Sequence, residues 1–184
     1  MKTFNLICLS IILTCIYAGC VNNTKNAETS KPPVPKVIQG DFNGDGKPEI
    51  VRLVKPKLNK EGTDCVGGCV SYLRFSDTTI ADIKVNNCID GTPDNLGDLN
   101  GDGKDEIGLL PEWFTSCWRS YLVYTYKNDK WIYAVPPITT HCNQWEAHIK
   151  PIEKDSLNKG YVVIRYSESE NNEIVNKSKI IAIK

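Results

Sequence analysis

Side chains that titrate near neutral pH are almost missing from this chain: it has two histidines, His141 and His148. It also lacks a Gly-x-Ser-x-Gly elbow, a His-Glu-x-x-His pair and a phosphate-cradling glycine loop, so the usual hydrolase, zinc-protease and nucleotide-binding chemistries have no foothold. Net charge is missing too. The chain carries 22 basic and 22 acidic side chains, and removing residues 1–19 takes away Lys2 alone, leaving 21 against 22. That balance gives no support for a nucleic-acid partner or a basic membrane-surface patch. No segment sustains a 3.6-residue apolar period, so long helices are not expected. The apolar run from Phe4 to Ala18 is too short to cross a bilayer as a mature helix.

What the chain does have is one acidic loop written twice. Asp41-Phe-Asn43-Gly44-Asp45-Gly46-Lys47-Pro-Glu49-Ile50 returns as Asp98-Leu-Asn100-Gly101-Asp102-Gly103-Lys104-Asp105-Glu106-Ile107. Oxygen side chains fall at loop positions 1, 3, 5 and 9, with glycine at position 6. Alternate residues can then point inward around a hard cation while the glycine permits the sharp turn. Position 7, Lys47 or Lys104, offers its backbone carbonyl. Asn-Gly and Asp-Gly also form hairpin turns with no metal at all. Two copies of identical spacing favour the metal, so Asp41, Asn43, Asp45, Lys47 and Glu49, and Asp98, Asn100, Asp102, Lys104 and Glu106, are the expected ligands of about two Ca²⁺ ions.

An EF-hand would close each shell with a glutamate at position 12 and flank it with helices. Here position 12 is Arg52 or Leu109, and the loops run into the aliphatic stretches Ile50–Val54 and Ile107–Leu110, each followed by a proline (Pro56, Pro111) expected to end it. This pattern resembles the calcium loops of FG-GAP and VCBS-type repeats, the blades of integrin-like propellers. The resemblance covers two stretches of about a dozen residues and the strands behind them.

The N-terminus reads as a targeting segment. Lys2 precedes the apolar run, which ends in Ile16-Tyr-Ala-Gly19-Cys20. This looks like a bacterial lipoprotein signal over residues 1–19, with Cys20 lipidated. The alternative is a secretory signal cleaved near Ala18 or Gly19, and both readings export the protein. Residues 20–36, polar and then proline-rich, suit a tether. Val21 rather than an aspartate after Cys20 favours, by analogy with enteric bacteria, the outer membrane facing the periplasm.

Residues 37–184 suffice for one domain. The expected strands are Cys69–Phe75, Ile80–Val85, Tyr121–Tyr126, Trp131–Val135, Tyr161–Tyr166 and Lys179–Ile183, all rich in aromatic and β-branched residues. The fold class is all-β. A repeat longer than the loop is also expected: loop, strand, connection, then a hairpin opening with Ser71-Tyr72-Leu73 or Ser120-Tyr121-Leu122, with turns at Asp77–Thr79 and Asn128-Asp129. The C-terminal hairpin would be a third unit without an acidic loop. Two or three units cannot close a propeller, so open antiparallel sheets resembling a few blades are anticipated.

Five cysteines follow Cys20. Antiparallel pairing around the two turns brings Cys69 level with Cys88 and Cys117 close to Cys142, which gives one disulfide per unit and leaves Cys65 over. The competing arrangement is a local Cys65–Cys69 bridge through Val-Gly-Gly. His141-Cys142 is weak as a thiol-enzyme fragment, because neighbours on a strand point to opposite faces. Trp113 and Trp118 are the better surface aromatics, and Trp131 the better core residue. The reading is a calcium-stabilised, non-catalytic, membrane-anchored lipoprotein with a protein- or glycan-binding surface. Its rivals are a periplasmic inhibitor or immunity lipoprotein and a metal-dependent envelope hydrolase.

Overall fold

The structure, a computed structural model, describes residues 36–184. The expected signal segment 1–19, Cys20 and all of the expected tether except Lys36 lie outside the described residues.

The first acidic loop joins β1 (Val37–Gly40) to β2 (Glu49–Val54), and β3 (Val70–Phe75) and β4 (Ile83–Asn86) continue the meander. The second loop joins β5 (Asp90–Asn95) to β6 (Ile107–Glu112), followed by β7 (Arg119–Lys127) and β8 (Lys130–Tyr133). Each set forms an antiparallel sheet in sequential order, β1-β2-β3-β4 and β5-β6-β7-β8, and β9 (Ile138–Thr140) pairs with the start of β7. After the short helix α1 (Cys142–Glu146), strands β10 (Ile152–Lys154), β11 (Tyr161–Glu170) and β12 (Glu173–Ala182) make a third antiparallel sheet. Over the described residues the fold is all-β, with three open, blade-like sheets and no closed barrel.

The sheets stack, and β7 shows how. Leu122, Tyr124 and Tyr126 enter a core shared with the first sheet, while Tyr121 and Val123 enter a second core shared with the third. A strand buried on both faces needs no polar alternation, which accounts for its continuous apolar run. The same logic separates the two copies of the repeat. Ile50 is 50% exposed, whereas its counterpart Ile107 is fully buried. Arg52 faces solvent where Leu109 is buried. Among the described residues nothing covers the outer face of the first sheet at Ile50 and Arg52, and the corresponding face of the second is covered by the first.

Sheet register corrects the longer repeat. Val51 pairs with Phe75 and Gly108 with Val123, so counting back makes Leu73, not Tyr72, the counterpart of Tyr121. The two Ser-Tyr-Leu tripeptides are therefore one residue out of step, and in a strand one residue reverses the face. The expected hairpin turn at Asn128-Asp129 is present, with φ of 51° and 58°, and Asn171-Asn172 (50° and 66°) makes a like turn between β11 and β12. Pro111 does not end its strand. It lies within β6 opposite Gly91, beyond Leu109, where pairing with β7 stops and no donor is needed on that side.

Of the expected disulfides, Cys117–Cys142 is present and Cys69–Cys88 is not. Cys69 is bonded to Cys65, and Cys88 is a buried free thiol. Register alone nearly favoured the other pair, since the Cys88 N–H reaches the Cys69 carbonyl at 3.2 Å. However, Asn87 adopts a left-handed φ of 51°, and Cys88 turns into the core with its thiol donating to the Asp90 carbonyl. Gly67 and Gly68, both at positive φ, bring Cys65 round to Cys69 instead. Removing the longer bridge has the clearer consequence. Cys117→Ser opens a link between residues 25 apart, and chain entropy puts the loss at about 3.5 kcal/mol. Cys65→Ser, spanning only 4, is expected to cost less in the same urea melt.

Candidate metal centre

The two acidic loops share one set of backbone-to-side-chain hydrogen bonds. In loop 1, Asp41 Oδ1 accepts the N–H groups of Gly44 and Asp45 (2.8 and 3.1 Å), and Oδ2 accepts that of Gly46 (2.9 Å). Asn43 Oδ1 accepts from Asp45 N–H, and Asp45 Oδ1 from Lys47 N–H, both at 2.8 Å. Loop 2 repeats every bond: Asp98 with Gly101, Asp102 and Gly103, Asn100 with Asp102, and Asp102 with Lys104. These bonds hold the side chains at positions 1, 3 and 5 pointing inward. Gly44, Gly46, Gly101 and Gly103, at φ between 80° and 88°, supply the turn that other residues would resist.

Position 2 anchors each loop from beneath. Phe42 is fully buried in the first core and Leu99 nearly so in the second. Their N–H groups donate to the position-9 carboxylates, Phe42 to Glu49 Oε2 at 2.9 Å and Leu99 to Glu106 Oε2 at 2.7 Å. The loops are also tied together, because Asp105 Oδ2 accepts from Asp41 N–H (3.2 Å) and from Asn95 Nδ2 (2.8 Å).

Glu49 is 4% exposed and Glu106 fully buried, yet neither forms an ion pair among the described residues. A buried carboxylate without a cation is costly. In loop 1, one oxygen each from Asp41, Asp45 and Glu49 lies within 4.8 Å of the other two. In loop 2, Asn100 Nδ2 donates to Glu106 Oε1 at 3.0 Å and to the Lys184 carbonyl at 3.0 Å. Lys104 directs its amino group to the Tyr126 carbonyl (3.1 Å), away from the carboxylates.

Burial pushes the Glu106 carboxyl up to about 7, against the opposing pull of the Leu99 N–H, and burial raises Glu49 as well. A carboxyl whose folded pKa exceeds its unfolded value of 4.5 leaves the folded state holding more protons between the two values. Its contribution to stability is therefore full below about pH 4.5 and is lost as pH rises through 7. In chelator, the Glu106 contribution should lower the melting temperature between pH 5 and pH 8, and Glu106→Gln should flatten that part of the profile.

Two other clusters bring metal-ligand types together, Cys117–His141–Cys142 and Asp64–Cys65–Cys69, but in both the cysteine sulfurs are joined as disulfides. The expected strand at His141-Cys142 is instead a helix start, with His141 as the N-cap accepting from Asn143 N–H. His141 Nδ1 lies 3.7 Å from Cys142 Sγ, a sulfur already bonded to Cys117. Trp131 is partly buried against the first core, stacked on Phe75, with its N–H donating to the Ala81 carbonyl. Trp113 and Trp118 are exposed. The chain matches no family model, no curated protein and no solved structure.

Proposed function

We propose that this protein is a calcium-stabilised, non-catalytic lipoprotein of the bacterial cell envelope, anchored through Cys20 and presenting a binding surface from a rigid stack of sheets. The observation that carries the reading is the pair of buried glutamates, Glu49 and Glu106, at the same position of the two loops, each accepting from the position-2 N–H and neither in an ion pair among the described residues. Ca²⁺ suits this donor set of carboxylates, an amide and a backbone carbonyl. It would offset the buried charge and join β1 to β2 and β5 to β6 where both sheets turn. The two disulfides fit an oxidising compartment, in keeping with export.

The expected test result is a calcium-dependent rise in melting temperature. At tenfold excess over Kd each site contributes about 1.4 kcal/mol, and at a hundredfold about 2.7 kcal/mol. Asp45→Ala combined with Asp102→Ala should abolish the rise. An unchanged rise in that double variant would refute the assignment of these loops. The anchor is tested separately: a palmitate analogue should label the wild type and not Cys20→Ser.

A further inference from the structure

We propose that the cleft between the ends of the first two sheets binds a short glycan. This names the ligand class for the binding surface proposed above and rests on that reading. The cleft has a volume of about 630 Å³, and its lining includes Trp113, Trp118 and Tyr133 together with Asn86, Glu112 and Arg119. The three aromatics are 42, 39 and 43% exposed, so their rings remain open to a ligand.

The cleft is built and held. The Cys117–Cys142 bridge fixes the segment carrying Trp113 and Trp118 to the start of α1. Trp118 meets His141 edge to face with ring centroids 4.8 Å apart, and Trp113 meets Phe114 in the same manner at 5.1 Å. Ser116 Oγ donates to the Trp118 carbonyl at 2.8 Å, and Arg119 Nε donates to the Ser116 carbonyl at 3.4 Å. Platforms fixed before binding lose little freedom when a ligand arrives.

The chemistry of the walls selects the ligand. A pyranose has an apolar C–H face and a rim of hydroxyl groups, so it needs flat apolar surfaces flanked by donors and acceptors. Trp and Tyr rings supply the first. The Asn86 amide, the Glu112 carboxylate and the Arg119 guanidinium, which forms no ion pair among the described residues, supply the second. Nucleic acid stacks on aromatics too, but its phosphates need a positive field, and this chain has as many acidic as basic side chains, with Glu112 in the cleft wall.

The test is a titration of the full chain, purified in detergent with calcium present, against triacetylchitotriose, cellotriose and trigalacturonate, read by tryptophan fluorescence and calorimetry. At least one trisaccharide should saturate the protein. Trp113→Ala and Trp118→Ala should each weaken binding about tenfold or more, as expected for truncating a central aromatic anchor. Trp118→Phe should restore part of the loss. Trp145→Phe should leave affinity unchanged, because Trp145 lies outside this cleft and its N–H is held by Thr140. Failure of all three sugars to bind, binding indifferent to both alanine variants, or saturation by a proline-rich peptide instead would overturn the proposal. A protein that melts higher with calcium yet binds no sugar would sink the cleft proposal and leave the parent reading standing. Cleaved sugar recovered from the titration would support the cleft and refute the non-catalytic reading.

Discussion

Phe42→Ala should destabilise the domain by about 3–5 kcal/mol, the range for emptying a buried phenylalanine site. Phe42 is fully buried, sits edge-on to Phe75 with centroids 6.1 Å apart, and belongs to the core in which Val51 and Leu73 of the first sheet meet Ile107 and Leu109 of the second. Its ring fills the space beneath the loop while its N–H holds Glu49. Removing the ring should therefore lower calcium affinity as well as stability, although Phe42 offers no side-chain ligand atom. Phe42→Leu should cost less, because Leu99 performs the same task under the second loop. A urea melt with and without calcium reads both effects. A loss below about 1 kcal/mol would mean that the first core does not support the loop.

Gly108→Ala should also be severe, above about 3 kcal/mol, at or beyond the upper end of overpacking effects. A Cβ at Gly108 would overlap the Tyr121 hydroxyl and come within 2.6 Å of the ring carbon that bears it. Tyr121 cannot retreat easily. It is 1% exposed in the second core, and its hydroxyl donates to Asp94 Oδ2 at 3.1 Å. The position corresponds to Val51 in the first sheet, so the second sheet has exchanged a β-branched side chain for room to seat a tyrosine. Tyr121→Leu combined with Gly108→Ala should be less damaging than the sum of the two single changes, the signature of groups competing for one space. Strict additivity in thermal melts would contradict this packing.

How much of this was legible in the sequence depended on where the physical cause lay. The two loops announced themselves because their turn is local: oxygen-bearing side chains at every second residue, glycine where φ must be positive. Strands β3, β7 and the first half of β11 were legible because their burial is written as β-branched and aromatic runs, whereas β12, which has no fully buried residue, was legible only at its aliphatic end, Lys179–Ala182. β5 was not. Asp90-Gly-Thr-Pro-Asp-Asn95 is made of turn formers, and it is a strand only because β6 lies beside it. β1, β9 and β10 are four residues or fewer, too short to show a period. The helix start at His141 depends on an N-cap imidazole, a bond invisible to residue spacing. The Ser-Tyr-Leu match misled because identical tripeptides can sit one residue out of register, and register is set by the partner strand. Within the loops, sequence spacing named the oxygen-bearing residues but could not reveal that Glu49 and Glu106 are buried with no ion pair among the described residues.

Calorimetric titration of the metal-free protein with Ca²⁺ tests that arrangement most directly. Two ions should bind per chain, with affinities of roughly the 10⁻⁴–10⁻³ M of extracellular modules. Asp45→Ala or Asp102→Ala alone should leave one ion, and the two together none. No binding heat and no calcium-dependent change in melting temperature would contradict it, as would two ions still bound by the double variant.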